Sequence, residues 1–470
     1  MCILPLGVYM DYSLDMSNAR EPTLTPSPAK SHTMHPAWRM AAVAAAALMA
    51  TGSYTTIAGL ITEPLVATRD WSRGDIGIAV AINMVLYGAV APFSAALMDR
   101  YGIRKIAVFA LVLLAGSSTL LVTATPSARW FIVWWGFLVG VGTGSITMVF
   151  GATVANRWFA DRIGLATGIL TSASVVGQFA ILPLLSTLMS QTDWRAPITV
   201  CGALAAGAAA LTFFALRDRP SDLGVTRNGS NPDPDPDRDL EARSTTASGQ
   251  SALARTLHML RNCVRNPAFW LLSFMFFLCG ATTNGLLWSH FTPAAHDHGM
   301  AATAASSLLA LVGIANILGT VSAGWLSDRM EPRVLLAGFF LVRGSTLAVL
   351  PLIFTSQVNP SLVGFAIMFG ILDVATVPPT IALCRHYFGA DSALAFGWVN
   401  VAHQIGAGAM AVTGSLIRES AGVYTSVWIL SAFLCVAAAT MGGMSAKIHN
   451  KNMGRKWLVT TTITNSDRSR

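Results

Sequence analysis

Arg343, Asp373 and His403 are ionisable side chains set inside long apolar runs of a 470-residue chain. An ionisable group at the centre of a bilayer is costly unless it is paired or hydrated, so each marks a candidate site of function. At helical rise, Arg343 lies about 15 Å into its run from one face, Asp373 about 18 Å into the next run from the other face, and His403 about 15 Å into the one after. All three reach the midplane. A carboxylate and a guanidinium at one depth neutralise each other, and protonating the acid frees the arginine to hold an anion. That chemistry would carry an anion and a proton together, with Asp373 and His403 as proton-coupling residues and Arg343 as a substrate ligand. The same residues also fit a plainer arrangement, a permanent structural ion pair beside a neutral histidine bonded to Gln404 or to a neighbouring helix.

Other polar side chains in the apolar runs are Tyr54, Asn83 and Gln178 in the first half of the chain, and Asn284 and Trp288 in the second. They are candidates to line a substrate path, and equally candidates for hydrogen bonds between packed helices. Glu63 falls near the end of the first run, where water reaches it. Pro378 and Pro379 interrupt the run that holds Asp373, removing two backbone donors and freeing carbonyls. Such breaks are where transport sites and hinges form. Gly136, Gly140 and Gly144 recur on one face of the fourth run and predict close approach by a neighbouring helix.

Only membrane-crossing helices can hold these groups at that depth. The chain is 11% charged and 53% hydrophobic, whereas a soluble domain carries about a quarter charged residues. Twelve apolar runs reach the roughly 20 residues needed to cross the hydrocarbon: 40–66, 77–97, 104–124, 130–154, 164–189, 196–216, 268–290, 302–326, 334–355, 361–383, 393–417 and 424–445. They are continuous rather than alternating, which excludes a barrel, and a helix satisfies its own backbone polar groups in lipid. The predicted fold is an all-α membrane protein with twelve transmembrane helices in two pseudo-symmetric six-helix bundles, 38–216 and 268–445. A linker, 217–267, joins them. It contains an Asn-Pro-Asp-Pro-Asp-Pro-Asp-Arg run at 231–238, too charged and proline-rich to pack a core, and is expected to be mobile. Residues 1–37 carry no signal-peptide pattern and are expected to form a disordered tail, with a second tail at 446–470.

Lys and Arg set the orientation. Of 31, the face holding both termini and the linker takes 25; the opposite face takes five, Arg69, Arg73, Arg129, Arg195 and Arg418, and Arg343 stands alone within a helix. Both termini are therefore predicted to be cytoplasmic. The +8 net charge falls between apolar runs rather than along a stripe with stacking aromatics, which argues against a nucleic-acid partner. The six cysteines lack the spacing of a zinc site or a disulfide scaffold and read as small apolar residues. No metal constellation, phosphate loop or activated nucleophile is present, so neither a metal, a cofactor nor an enzymatic reaction is expected.

Asp99-Arg100 and Asp328-Arg329 lie 229 residues apart, and the same separation relates Phe159 to Phe388, Ala166 to Ala395 and Gly168 to Gly397. Two parallel six-helix repeats suit a transporter with a central site. The segment from Ala95 to Lys105, Ala-Ala-Leu-Met-Asp-Arg-Tyr-Gly-Ile-Arg-Lys, resembles the loop motif of the major facilitator superfamily, and Gly324-Trp-Leu-Ser-Asp-Arg329 resembles its second copy. Ala95 stands where the motif's first glycine is usual. The resemblance covers 40–445 and implies that Asp99, Arg100, Asp328 and Arg329 are gating residues, whose acids latch the halves together. An anion beside another helix's N-terminus gains dipole stabilisation that is lost when the halves part. Alternatively, these charges only stop the helices at the membrane surface.

Three further stretches resemble the bacterial monocarboxylate-transporter-like branch of that superfamily: Trp71-Ser-Arg-Gly-Asp75, Asn156-Arg-Trp-Phe159 with Gly164-Leu-Ala-Thr-Gly168, and Asp373-Val-Ala-Thr-Val-Pro-Pro-Thr380 with His403-Gln404. The Gly-Pro pair of the drug-exporting branches is missing, since Gly177 is followed by Gln178. The resemblance implies a secondary active transporter of the bacterial inner membrane, moving a small organic anion such as a monocarboxylate by alternating access with proton symport. Its partners would be the anion, a proton and the lipid bilayer, and it would work as a monomer. A proton-coupled exporter of a drug or secreted metabolite is the second reading, and a non-transporting membrane receptor the third.

Overall fold

Apolar runs that cannot bond to water close their hydrogen bonds internally, and the chain does this almost throughout. The computed structural model describes residues 35–69, 71, 73–179, 181–229 and 252–442. Six spanning helices form the first half: α1 Pro36–Arg69, α2 Arg73–Tyr101, α3 Ile103–Thr123, α4 Ala128–Trp158, α5 Ile163–Phe179 continuing as Leu182–Gln191, and α6 Arg195–Ala215. The second half holds α7 Pro267–Asp297, α8 Ala302–Ser327, α9 Pro332–Ile353, α10 Pro360–Asp373 continuing as Val377–Phe388, α11 Ser392–Ala421 and α12 Thr425–Gly442. Among the described residues the only β pairing is an isolated bridge between Phe159 and Asn228. With six spans in each half, the start of α1, the end of α12 and the linker lie on one face, here called the linker face. α1 begins two residues inside the tail expected at 1–37; residues 1–34 of that tail, and 446–470, lie outside the described residues.

The breaks have local causes and follow the repeat. α4 is interrupted at Ile146, and the Thr147 hydroxyl restarts it by accepting from Val149 N at 3.2 Å. α10 is interrupted at 374–376, the position related to the first break by the 229-residue separation of Asp99 and Asp328. Pro378 and Pro379 open the second segment of α10, where a missing N–H is no loss because first-turn amides have no intrahelical partner. The stripe of small residues on α4 meets α2: a Cβ on Gly144 would lie 2.7 Å from the Leu86 carbonyl oxygen.

The linker is ordered on both sides of its Pro-Asp run, which itself lies outside the described residues. A 3-10 turn occupies Pro220–Leu223, and Ala252–Cys263 forms an amphipathic helix. That linker helix buries Met259 and Cys263 in the same core as Ala91 and Ala95 of α2 and Leu394 and Ala395 of α11. It therefore sits where the two halves meet.

The halves join chiefly through two helix pairs, α5 with α8 and α2 with α11. Along α5 and α8 the contacts run from Gly164 on Gly324, through Gly168 on Thr320 and Ser172 Oγ donating to Ile317 O at 3.3 Å, to Phe179 on Gly313. Along α2 and α11 they run from Phe93 against Trp398, through Pro92 on Gly397, to Gly88 on Gln404. These contacts extend from the linker face to mid-depth. Nearer the far face, Met84 and Val85 of α2 and Ile405 and Val412 of α11 are exposed.

Candidate functional site

The break in α10 decides the chemistry around it. A helix that stops at Asp373 leaves its last carbonyls without amide donors, and the chain beyond re-bonds elsewhere, Val377 N to Val374 O at 3.0 Å and Thr380 N to Thr376 O at 3.2 Å. Arg343 of α9 supplies the missing donors. Its Nη2 donates to Leu372 O and to Asp373 O, the latter at 2.8 Å, and its Nη1 reaches Cys279 Sγ of α7 at 3.4 Å. The guanidinium is fully buried, over the rings of Phe340 and Phe369. It thus occupies a helix C-terminus, where the dipole favours a cation.

Different groups hold the Asp373 side chain. Its Oδ2 accepts from Trp288 Nε1 at 3.2 Å and from Asn316 Nδ2 at 3.0 Å, and Asn316 Oδ1 accepts from Thr320 Oγ1 at 2.9 Å. Its Oδ1 is buried with no hydrogen-bond partner among the described residues. The sequence pointed to a direct ion pair between Arg343 and Asp373. The structure brings the two together through the main chain instead, and no salt bridge within 4.0 Å joins their side chains among the described residues. His403 of α11 closes the group from the third side. Its ring lies 5.0 Å from that of Phe276, its main chain packs on Gly280 of α7, and its Nδ1 is buried without a partner among the described residues. Cys279 Sγ and Thr376 Oγ1, 3.1 Å apart, link α7 to the break.

Trp288 carries this cluster to the other half. While its N–H donates to Asp373, its indole stacks on Phe179 of α5, with ring centroids 4.6 Å apart and 20° between planes. The remaining polar candidates are dispersed. Tyr54 is buried, its hydroxyl donating to Leu114 O at 3.2 Å and lying 2.6 Å from Ser118 Oγ, so it ties α1 to α3. Asn83 donates to Trp135 O at 3.0 Å and ties α2 to α4. Gln178 is half-buried one residue before Phe179, and Asn284 is exposed in a π turn, Thr283–Leu287, of α7. Asn316 and Phe179 did not stand out in the sequence. A lone amide inside the apolar run of α8 was the available signal for Asn316; nothing marked Phe179.

At the linker face the two loop acids behave differently. Asp328 sits on the N-terminus of α5, accepting from Gly164 N at 2.7 Å and Leu165 N at 2.9 Å. Gly164 is required there, because a Cβ would meet the Gly324 carbonyl and, at 2.6 Å, Asp328 itself. Arg329 lies over the Trp325 ring at 4.0 Å, and Arg100 over Tyr101 at 5.2 Å. Asp99 caps no helix among the described residues: it pairs with Arg157 at 2.7 Å and with Arg255 of the linker helix at 3.1 Å. Arg255 also reaches Asp391, the residue that opens α11, at 3.2 Å. Among the described residues no group of three or more His, Cys, Asp or Glu could hold a metal ion.

Comparison with known proteins agrees with this architecture. The sequence model described as Major Facilitator Superfamily matches residues 43–342 and 277–456. The chain is 26% identical over 314 residues to the MFS-type transporter YcxA of Bacillus subtilis, covering 66% of this chain and 70% of that one. It is 24% identical over 301 residues to monocarboxylate transporter 12-B of Danio rerio, covering 60% of each chain, so it spans about 60% of that relative's length. It is 26% identical over 338 residues to the 4-hydroxybenzoate transporter PcaK of Pseudomonas aeruginosa, covering 65% of this chain and 70% of that one. Among solved structures, the transporter FucP in the outward conformation matches with a TM-score of 0.65 at 14% identity, covering 87% of this chain and 99% of that one. The proton:xylose symporter XylE matches with a TM-score of 0.64 at 14% identity, covering 86% and 94%. At such identity these structures speak for the fold alone. Twelve spanning helices in two repeats, and a family match over most of their length, make this chain a multi-pass membrane protein of the Major Facilitator Superfamily, a family of transporters rather than enzymes.

Proposed function

We propose that the protein carries a small organic anion, a monocarboxylate, across the inner membrane together with a proton, as a monomer with both termini in the cytoplasm. One observation carries this reading: the buried Asp373 carboxylate has one oxygen held by Trp288 and Asn316 and the other unpartnered, and Trp288 is stacked on Phe179 of the opposite half. Arg343 and Asp373 together bring one positive and one negative charge to half-depth. Protonating Asp373 leaves the positive charge uncompensated in a poorly solvated site, which a monoanion corrects. Proton and anion then bind as a pair.

Arg343 acts in this scheme through position. Its fork fixes the broken end of α10 and sets a positive field beside the carboxylate, while His403 serves as the proton's neighbour on α11. Asn83, Gln178, Asn284 and Trp288 are proposed to line the path, and Tyr54 to hold α1 in place beside it. A protonated carboxyl is a weaker acceptor for Trp288 and Asn316 than a carboxylate, so the proton loosens the stack on Phe179 and favours rocking of the halves. Asp328 on α5 and Arg255 between Asp99 and Asp391 hold the linker face shut in the present conformation. The names of the monocarboxylate and 4-hydroxybenzoate transporters among its relatives support the substrate class.

The test is uptake of labelled aliphatic and aromatic monocarboxylates by full-length protein in proteoliposomes under an imposed pH gradient. Gradient-driven accumulation is expected, and Asp373→Asn is expected to lose it while retaining exchange without a gradient. Accumulation that ignores the gradient, or survives unchanged in Asp373→Asn, would sink the coupling scheme.

A further inference from the structure

The lipid-facing side of the first half carries a feature that transport does not use. Between α3 and α6 runs a groove of about 820 Å³, lined on α3 by residues from Val108 to Thr123 and on α6 by residues from Thr199 to Phe213. Its α6 wall is mostly alanine and glycine, so no large side chain fills it, and a Cβ on Gly116 would meet nothing within 4 Å. The stretch from Val108 to Thr123 extends about 22 Å at helical rise, longer than the roughly 15 Å of one leaflet's hydrocarbon.

At the far face the groove borders a second cavity, of about 570 Å³, which shares Val122 and Thr123 with it. This cavity is lined by Arg69, Arg195, Trp130 and Trp134. The guanidinium groups of Arg69 and Arg195 both lie over the buried Trp194 ring, at 5.6 and 5.1 Å, so one indole positions two cations. Arg195 donates one N–H to Asp193 at 3.1 Å, whereas Arg69 has no carboxylate within salt-bridge distance among the described residues. Trp130 and Trp134 stack on each other, and the Trp134 N–H donates to Ala124 O, an arrangement suited to the level of lipid headgroups.

We propose that groove and cavity form one binding site for a phospholipid of the far leaflet, with its phosphate at Arg69 and Arg195 and an acyl chain lying between α3 and α6. Charge selects the occupant. A sterol or a bare hydrocarbon chain would leave Arg69 without an anion and Arg195 with Asp193 alone, and free phosphate would leave the groove unfilled. The second observation, an open groove longer than a leaflet and adjoining the cationic cavity at Val122 and Thr123, calls for an anion that carries an apolar chain.

The experiment is native mass spectrometry of the full chain, extracted in mild detergent from vesicles of phosphatidylglycerol and phosphatidylethanolamine, with a photoreactive acyl chain in a fraction of the lipid. The wild type is expected to retain phospholipid and to be labelled on α3 and α6. An Arg69→Ala/Arg195→Ala variant is expected to retain it about thirtyfold more weakly, from the contribution of two interfacial cations. Gly116→Phe, which keeps both arginines and intrudes only on open space, is expected to lose the acyl label as well, so the inference stays testable should the double variant fail to fold. Equal retention in all three proteins would overturn the site. So would displacement of the lipid by inorganic phosphate alone, or crosslinks showing a second copy of the chain on the groove.

Discussion

Arg343 directs its fork at two main-chain carbonyls, so the consequence of removing it is set by those carbonyls and not by a lost ion pair. Arg343→Ala should destabilise the second half by about 1–3 kcal/mol for each carbonyl left buried and unpaired. Arg343→Lys, with one point charge and no fork, should fall between the two, and thermal unfolding in detergent orders the three proteins. An unchanged midpoint for Arg343→Ala would mean that the break in α10 does not need its cap. Trp288→Phe separates two roles of one side chain: the ring can still stack on Phe179, but the donor to Asp373 is gone. Downhill transport is expected to persist while accumulation driven by a pH gradient falls; fully retained accumulation would remove Trp288 from the coupling path. Hydropathy alone singled out Arg343, Asp373 and His403, because a lone charge in an apolar run is visible as a letter in the sequence. That Arg343 would serve carbonyls was not visible, since main-chain acceptors carry no letter and the 374–376 break creates them only in three dimensions.

Among the elements, the α5–α8 pair holds the tightest contact between the halves and the least tolerant of change. Asp328→Asn keeps an acceptor oxygen but removes the charge facing two amides at a helix start, and bonds to charged groups are worth about 1.5–3 kcal/mol. The linker face should open in a larger fraction of molecules, read as a longer distance between spin labels at Ala160 and Ala390, exposed positions on opposite halves. Gly164→Ala should act in the same direction by sterics, because its Cβ would collide with the Gly324 carbonyl. A distance distribution unchanged in both variants would exclude this contact as the latch. The spanning helices were legible because length and apolar continuity suffice to call for them in lipid. The break in α4 was not, since Ile146-Thr147 contains no proline or glycine to announce it. The linker helix was missed for a third reason: its apolar side, Met259 and Cys263 among polar residues, is too short to register as a run and gains its meaning from α2 and α11 beneath it.

For the molecule as a whole, the repeat makes the two interfaces equivalent in helices and unequal in chemistry. Asp328 approaches the start of α5, which is preceded by Arg162, whereas Asp99 faces the start of α11, which is preceded by Asp391 at the corresponding place in the repeat. Two carboxylates cannot share a helix N-terminus without a cation between them, and Arg255 of the linker helix is that cation. At this second interface the acids are thus joined not by a direct cap but by a bridge carried by the connector between the halves. Arg255→Ala should therefore open the linker face too, by a smaller amount, because the pairs it makes are partly exposed and such pairs are worth about 0–1 kcal/mol each. Its effect should add to that of Asp328→Asn within about 0.5 kcal/mol, as for sites that share no side chain. Asp391→Arg gives the decisive background. It places a cation before α11, as Arg162 stands before α5, so Asp99 can be joined to the start of α11 without the linker. In Asp391→Arg, adding Arg255→Ala should leave the spin-label distances unchanged. A full Arg255→Ala effect in that background would show that the linker helix acts on the halves by packing rather than by charge.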